Sequence, residues 1–275
     1  MIKIGITGSS GTLGKSLNKF LIKDSNYKIV KYKHDIIDKK KLNYWVKYNQ
    51  FHVIIHLAAI VPTEKVKKNF KFANKINVGG TKNLVEAIKN YQKIKVFLFF
   101  ASSSHVYSFS KNIIKENNEL RGISKYGKTK ILAEKFLLKN SHHYFLSIGR
   151  ISSLCSENQS NDFLINYLID TCKKNTKIFF GNSNIKRNFI YVDDVSKIII
   201  KIIKKKIVGV FNISNTESTK LSKLFIYLQK KYGFFIKHHL GRIEYLELSN
   251  KLLLKKIGNF KFLKLKDIVK KIYTK

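Results

Sequence analysis

The chain has 275 residues, of which 44% are hydrophobic, and its formal net charge at pH 7 is +37. This length is enough to bury a sizeable core, either as one domain or as one domain with a smaller lobe. Lysine carries almost all of the positive charge, because only Arg121, Arg150, Arg187 and Arg242 are arginines. Since arginine is the usual reader of phosphates and base edges, we expect no specific nucleic-acid partner and attribute the charge to an A/T-biased genome.

Membrane insertion, export and metal binding are also not expected. No apolar run approaches the roughly 18–20 residues of a membrane span. The N-terminus begins directly with a strand-like run and does not resemble a signal peptide. Cys155 and Cys172 provide neither a disulfide framework nor metal-ligand spacing. We therefore expect a cytoplasmic protein that has no membrane span and binds no metal.

Strand-like and helix-like runs alternate along the first part of the chain. The apolar patterns predict strands at residues 2–7, 27–34, 53–57, 95–100 and 144–148, and helices at 13–22, around 45–46, at 78–89 and at 124–138. Such alternation is typical of an α/β fold with a doubly wound parallel sheet that is covered on both faces. After residue 150 the alternation loosens, which indicates a smaller lobe.

Three glycines, Gly8, Gly11 and Gly14, connect the first predicted strand to the first predicted helix. In a dinucleotide site the first glycine permits the tight turn, the second lets backbone approach a pyrophosphate, and the third lets helix pack on strand. The helix N-terminus adds free N–H groups and a partial positive charge. A tight turn without a ligand is the alternative, but the strand and the helix around the glycines favour dinucleotide binding.

A second group of residues has the chemistry of proton transfer. Tyr126 and Lys130 lie one turn apart on a predicted helix, and the strand before it ends in a run of serines. A free tyrosine has a pKa of about 10. An ammonium one turn away would favour the phenolate and lower the pKa of Tyr126. A hydroxyl at the carboxyl end of a strand can hold a carbonyl oxygen beside it.

Taken in order, these motifs resemble those of the short-chain dehydrogenases/reductases, in the extended branch of sugar-nucleotide epimerases, dehydratases and reductases. The resemblance rests on the ordered set and covers most of the chain. The matching segments are the three glycines, residues 56–59 (HLAA), 77–81 (NVGGT) and 102–107 (SSSHVY), the Tyr126 and Lys130 pair, and residues 187–195 (RNFIYVDDV) and 209–215 (GVFNISN).

The resemblance implies a Rossmann-type NAD(P)-binding domain at residues 1–150, with a return segment near 186–213. Residues 151–275 would mainly form a substrate-binding lobe. Hydride would move between a nicotinamide and a sugar carbon. Tyr126 would exchange the proton on the sugar oxygen, Ser103 would hydrogen-bond that oxygen, and Lys130 would tune Tyr126 and hold the nicotinamide ribose. The implied cofactor-binding residues are Gly8, Ser10, Gly11, Thr12, Leu13, Gly14, Lys33, Asp35, Leu57, Ala58, Ala59, Asn77, Ala101, Tyr126 and Lys130.

The implied substrate-binding residues are Ser103, Ser104, His105, Arg187 and Arg242. Arg187 lies where family members hold the diphosphate of a sugar nucleotide, and Arg242 lies in a late segment that resembles a second such contact. Dehydratases of the family carry an Asp-Glu pair after the active-site hydroxyl residue. This chain has Ser104 and His105 at those positions, so a 4,6-dehydratase is not expected. His105 either works as an acid or base or only lines the pocket.

The choice of cofactor depends on the end of the second strand. NAD-binding members place an acidic residue there to bind the ribose 2′-hydroxyl. This chain has Lys33 at that position, and a cation suits the 2′-phosphate of NADPH, although lysine is abundant enough for this to be chance. Asp35 resembles the family aspartate that contacts adenine. We therefore expect NADP in preference to NAD.

These observations predict an enzyme that reduces a 4-keto group of a nucleotide-linked sugar. The first alternative is a nucleotide-sugar 4-epimerase with a tightly bound NAD. Two others are a reductase of a small free carbonyl compound and a non-catalytic dinucleotide sensor or RNA-associated scaffold. Arg187 argues against the free carbonyl compound, and the intact set of Ser103, Tyr126 and Lys130 argues against the sensor.

A homodimer is the expected assembly. Family members commonly pair through the helix that begins near Asn77 and the helix that carries Tyr126. Both helices here have apolar residues beyond one narrow stripe, namely Val85, Ile88, Ile131, Leu132 and Phe136.

Overall fold

A computed structural model describes residues 1–61, 63–174 and 177–274 of the chain. In chain order its strands are β1 (Ile2–Thr7), β2 (Tyr27–Lys31), β3 (Val53–His56), β4 (Phe97–Ser103), β5 (Phe145–Ile151), β6 (Ser153–Cys155), β7 (Ile178–Asn182), β8 (Ile185–Arg187), β9 (Phe189–Tyr191), β10 (Gly209–Ile213), β11 (Thr219–Lys220), β12 (Ile236–His239) and β13 (Glu244–Leu246).

The α-helices are α1 (Thr12–Leu21), α2 (Lys39–Asn49), α3 (Thr63–Lys68), α4 (Phe70–Asn74), α5 (Gly80–Tyr91), α6 (Lys125–Lys139), α7 (Leu164–Lys173), α8 (Val192–Lys204), α9 (Leu221–Tyr232), α10 (Lys251–Ile257) and α11 (Leu265–Tyr273). A π-helical turn, Lys75–Gly79, leads into α5. Within the described residues, no helix combines the length and apolarity that crossing a bilayer requires.

The central sheet has six strands in the order β2, β1, β3, β4, β5, β10, and each neighbouring pair is parallel. This arrangement confirms the predicted doubly wound parallel α/β fold. The chain places β2 on one side of β1 and β3 on the other, so the strand order reverses at β1. Ligands of such sheets bind in the crevice outside the carboxyl ends of the strands at this reversal.

Helices cover both faces of the sheet. On one face α1 and α8 bury Leu17, Ile198 and Ile202 against the strands. On the other face α2, α5 and α6 bury a second cluster that includes Trp45 and Leu84. Burying one such side chain stabilises the fold by about 1.5–3 kcal/mol, so the two clusters hold the strand ends in fixed positions.

The part of the chain after β5 forms smaller units around a third buried cluster. Short sheets pair β6 with β9, β7 with β12, and β8 with both β11 and β13. Helices α7, α9 and α11 pack with them through residues such as Leu168, Phe225 and Ile268. Strand β10 returns to the central sheet beside β5. The division at residue 150 stays a prediction.

The helices expected to form a dimer interface use most of their apolar residues inside the chain. Val85, Ile88 and Ile131 are buried, whereas Leu132 of α6 is 47% exposed. The apolar character of α5 and α6 is therefore mainly explained by the core. The homodimer stays a prediction, and Leu132 is the apolar residue of this set that remains exposed.

Candidate active site

The carboxyl ends of the central strands border a cavity of about 580 Å³. Most of the residues predicted from the sequence line it, including Gly8, Ser10, Gly11, Thr12, Leu13, Gly14, Leu57, Ala58, Ala59, Ala101, Ser103, Ser104, His105, Tyr126, Lys130 and Arg187. A neighbouring cavity of about 430 Å³ shares Gly8, Ser10, Ala58 and Ala59 and is lined by Lys33 and Asp35. The structure thus brings together residues that are widely separated in the sequence.

The glycine loop packs tightly against neighbouring backbone. Gly8 has a φ of +70°, and a Cβ there would lie 2.6 Å from the backbone nitrogen of Ala58. A Cβ on Gly14 would collide with the carbonyl oxygen of Gly8. Gly11 is the N-cap of α1, so the first N–H groups of this helix face the cavity end of the loop. These features fit the pyrophosphate of a dinucleotide.

Asn77 is placed behind the cavity wall. Its side chain is buried, accepts a hydrogen bond from the Ile60 N–H at 2.8 Å and donates to the Ile60 carbonyl at 3.0 Å. It also donates to the Thr129 hydroxyl of α6 at 3.0 Å. The π-helical turn that carries Asn77 therefore ties a lining residue, Ile60, to the helix of Tyr126 and Lys130.

Tyr126 is buried and its hydroxyl is hydrogen-bonded to the side chain of Ser103. Ser124 caps α6 by accepting a hydrogen bond from the Gly127 N–H at 3.0 Å, which fixes the helix start. Burial raises the pKa of Tyr126 above its ordinary value, and only the bond from Ser103 opposes this effect. Tyr126 is therefore protonated at neutral pH.

The sequence led us to expect that Lys130 would lower the pKa of Tyr126, and the structure differs. The Lys130 ammonium donates to the Ala101 carbonyl at 2.8 Å and lies 4.6 Å from the centroid of the Phe100 ring. Burial lowers the pKa of Lys130 to about 7, while the charge of Glu134 raises it. Burial therefore dominates the pKa of Tyr126, and Ser103 is the side chain that opposes it.

His105 and Arg187 form the other side of the site. Nδ1 of His105 is hydrogen-bonded to the Ser124 hydroxyl at 3.0 Å, and that hydroxyl also accepts from the Gly127 N–H of α6. The His105 ring packs edge-on against Tyr126, with centroids 5.9 Å apart. Burial, together with the charge of Arg187, lowers the pKa of His105 to about 4, so this imidazole is neutral at pH 7.

Arg187 is a cation without an acidic partner in the described part of the chain. Burial lowers its pKa, and the charge of Glu244 opposes that effect without an ion pair. Its Nε is buried and has no hydrogen-bond partner among the described residues. An arginine in this state is expected to bind an anion that enters the cavity.

Arg242 does not line this cavity. It is exposed, and its backbone carbonyl accepts a hydrogen bond from the Asn182 side chain at 2.9 Å. The predicted contact between Arg242 and substrate stays a prediction, since the structure places this residue in the surface loop between β12 and β13.

Sequence reasoning did not identify the wall that the second half of the chain supplies. The cavity is also lined by Leu154, Cys155, Gln159 and Phe163. Burial raises the pKa of the Cys155 thiol to about 12, so this cysteine is an inert wall residue. The sequence predicted a substrate-binding lobe over residues 151–275 without naming these positions.

The sequence matches the NAD dependent epimerase/dehydratase family over residues 4–214. The chain belongs to this family, and it is therefore an enzyme that uses a nicotinamide dinucleotide. The residues of the glycine loop fit that group, as described above.

Individual proteins of known sequence or structure are similar to this chain. A putative UDP-glucose 4-epimerase of Methanocaldococcus jannaschii is 27% identical over 253 residues, covering 83% of this chain and 82% of the relative. A dTDP-4-dehydrorhamnose reductase of Aggregatibacter actinomycetemcomitans is 26% identical, covering 76% and 70%. The structure of UDP-glucuronic acid 4-epimerase from Bacillus cereus, in complex with UDP-glucuronic acid and NAD, matches with a TM-score of 0.88 at 23% identity, covering 99% and 98%.

Proposed function

We propose that this protein is an NADP-dependent reductase of a 4-keto group on a nucleotide-linked sugar. The observation that carries the proposal is the position of Arg187. Its unpaired guanidinium lines the same cavity as Ser103, Tyr126 and Lys130. A substrate that fills this cavity therefore meets a proton-transfer group and an anion-binding group together.

The anion is proposed to be the diphosphate of a sugar nucleotide. A diphosphate offers the planar guanidinium of Arg187 two acceptor oxygens at once. Two relatives support this assignment by name, since they are described as acting on UDP-glucose and on dTDP-4-dehydrorhamnose. A small free carbonyl compound would leave Arg187 without a partner, which is unfavourable for a partly buried charge.

Each catalytic side chain has a proposed task at the reacting oxygen. The bound dinucleotide supplies the hydride. Tyr126 donates its proton to the sugar oxygen, and Ser103, already hydrogen-bonded to Tyr126, orients that oxygen. Lys130 provides positive charge near the phenolate that remains after proton transfer. The buried setting of these groups excludes water from the proton transfer.

The protonated state of Tyr126 suits the first step of a reduction. Burial keeps this residue protonated at neutral pH, so it is ready to donate a proton at the start of the reaction. Dehydration is not supported, because Ser104 and His105 stand where a carboxylic acid and a carboxylate would be required. The low pKa of His105 further restricts it to a neutral, lining role at pH 7.

NADP is proposed as the preferred cofactor because of Lys33. This exposed lysine and Asp35 line the second cavity next to Gly8 and Ser10. The Asp35 carboxylate accepts a hydrogen bond from the Ile37 N–H at 3.2 Å. A lysine at this position can contact a 2′-phosphate, and the nearby Asp35 can serve the adenine end.

A nucleotide-sugar 4-epimerase is the second candidate. The similarity to a putative UDP-glucose 4-epimerase covers most of both chains and favours it. The catalytic set of Ser103, Tyr126 and Lys130 would serve either reaction. An epimerase would retain one NAD and return the hydride to the other face of the sugar.

The test mixes the purified protein with NADPH and a panel of UDP-, dTDP- and GDP-linked 4-ketosugars. Consumption of NADPH in proportion to a 4-hydroxy product is expected. Interconversion of UDP-glucose and UDP-galactose without net cofactor turnover would replace the reductase with the epimerase. Turnover of free ketones alone, or cofactor binding without any turnover, would contradict both candidates.

A further inference from the structure

The end of β4 and one face of α6 are linked residue by residue. The Ala101 carbonyl accepts from the Lys130 ammonium at 2.8 Å, and the hydroxyl of the next residue, Ser102, donates to the Glu134 carboxylate. The third residue at the end of β4, Ser103, interacts with Tyr126, as described above. Because Tyr126, Lys130 and Glu134 are spaced four apart, they share one face of α6. Glu134 is thus the third member of a row whose other two members are proposed to be catalytic.

Glu134 is held by a dense set of polar contacts away from solvent. Its side chain is 0% exposed, and Arg150 of β5 donates to it from Nη2 at 2.7 Å and from Nε at 3.2 Å to both carboxylate oxygens. The remaining Arg150 nitrogen, Nη1, donates to the Tyr107 hydroxyl and the Glu116 carbonyl, both at 2.8 Å. A buried ion pair with this many bonds resists displacement, so it can fix the positions of the elements it joins.

The charged and titratable groups around Lys130 come from several elements. Glu134 of α6 raises the pKa of Lys130, and Tyr126 faces it from the preceding turn. From β3, His56 is buried and neutral at pH 7, since burial and the charge of Lys130 lower its pKa to about 3. From β5, Arg150 pairs with Glu134. The Glu134 carboxylate is therefore the group that favours the ammonium form of Lys130 against burial.

We propose that Glu134 is a positioning residue for the proton transfer at Tyr126: it anchors Ser102 at the end of β4 and keeps Lys130 an ammonium bonded to Ala101. The ion pair with Arg150 offsets the free-energy cost of burying the Glu134 carboxylate. The inference rests on the proposed function, in which Tyr126 and Lys130 carry out the proton transfer. It adds Glu134 as the group that holds them in position.

The test measures the titration of Lys130 directly, by NMR of protein labelled with ¹³C at the lysine Cε. The Lys130 signal is assigned by its disappearance in a Lys130→Met variant. Glu134→Gln alone would leave Arg150 buried without its partner and is at risk of unfolding. The informative variant is therefore the double substitution Glu134→Gln with Arg150→Met, which removes both charges. We expect the pKa of Lys130 to fall by about one unit in this variant.

Ser102→Ala is the matched variant, because it removes one hydroxyl and keeps both charges. We expect it to leave the pKa of Lys130 unchanged but to move its Cε resonance, since Lys130 lies over the Phe100 ring and senses small displacements. An unchanged pKa in the folded double variant would overturn the proposal. If the double variant does not fold, the Ser102→Ala variant provides the test. A Lys130 Cε resonance at its wild-type position in Ser102→Ala would then overturn the proposal.

These measurements also separate the inference from the proposed function. They use the protein without any sugar nucleotide, so they do not depend on which substrate is turned over. Absence of turnover with every 4-ketosugar would remove the reductase proposal, whereas the NMR result would still report whether Glu134 controls Lys130.

Discussion

Nε2 of His56 lies 3.0 Å from the hydroxyl oxygen of Thr81, and that hydroxyl donates its own hydrogen to the Asn77 carbonyl at 2.7 Å. The Thr81 oxygen must therefore accept, which places the ring hydrogen of His56 on Nε2. On the other side, Nδ1 accepts from the Thr7 hydroxyl at 2.7 Å. The fully bonded ring is neutral, and a second proton on Nδ1 would force the hydrogen bond with Thr7 to reverse its direction.

This arrangement makes stability depend on pH. The pKa of His56 is lowered to about 3 in the folded protein, whereas an unfolded histidine titrates near its ordinary value of about 6.5. Between these values the unfolded chain binds more protons, so the free energy of unfolding should rise with pH by up to about 1.4 kcal/mol per unit and level off above 6.5. Urea unfolding from pH 4.5 to 7.5 measures this slope.

The control for this prediction exchanges single histidines. His56→Gln should flatten the slope, although His105, whose pKa is about 4, retains a contribution of the same sign. The exposed His142, changed to Gln, should leave the slope as in the wild type. Equal slopes in both variants would contradict the role of His56.

Tyr126→Phe is expected to remove the proton donor and leave the fold intact. The substitution deletes one hydroxyl from a buried ring, so the melting temperature and the binding of NADPH should change little. General acid catalysis contributes about 10²–10⁴-fold, and a loss of kcat of that size is expected. Tyr48→Phe, on an exposed face of α2, is the matched control. Near wild-type turnover in Tyr126→Phe would refute the catalytic assignment.

Arg187→Met should weaken substrate binding and stabilise the free protein. Charge-assisted hydrogen bonds contribute about 1.5–3 kcal/mol each, so kcat/KM should fall by roughly 10–100-fold. Because the substitution removes a partly buried charge without an acidic partner among the described residues, the melting temperature should rise. Arg121→Met serves as the control, since Arg121 is exposed and paired with Glu119 at 2.7 Å. A lower melting temperature in Arg187→Met would show that this residue has a structural partner.

Lys33→Glu should reverse the cofactor preference. A carboxylate at this position repels the 2′-phosphate of NADPH and can accept from the 2′-hydroxyl of NADH. We expect NADPH affinity to fall by about tenfold or more, measured by quenching of protein fluorescence. Lys31→Glu is the matched control, because Lys31 is an exposed lysine at the end of β2 that does not line the cavity. Tighter binding of NADH than NADPH by the unchanged protein would disprove the preference.

The expected homodimer can be tested at Leu132. If α5 and α6 pair across a two-fold axis, a lysine at this exposed position meets its own copy and should dissociate the dimer. Leu138→Lys is the control, since Leu138 is 46% exposed on another face of the same helix. Sedimentation at micromolar concentration distinguishes the states. A monomeric wild type would remove the prediction.

The sequence was sufficient to predict the strand and helix order and the motifs at the carboxyl ends of the strands, because apolar periodicity and glycine spacing are local signals. Strand bounds were less accurate: β2 ends at Lys31 instead of His34, since the chain leaves the sheet edge to border the second cavity. The buried position of the Asn77 side chain behind the cavity wall and the pairing of Glu134 with Arg150 were not predictable. Both depend on packing between elements that are distant in the sequence. The protonation state of Tyr126 depends on its burial, which the spacing of apolar residues along the sequence does not measure.

One oxygen atom of Ser124 constrains how this enzyme could change its substrate during evolution. It caps the helix of Tyr126 and is also hydrogen-bonded to Nδ1 of His105 on the substrate side. A mutation at residue 124 that alters the pocket also alters the start of the catalytic helix. Threonine is the one other residue that offers both functions with the same hydroxyl geometry. New specificity is therefore more accessible at apolar lining residues such as Leu154 and Leu164, whose side chains cap no helix.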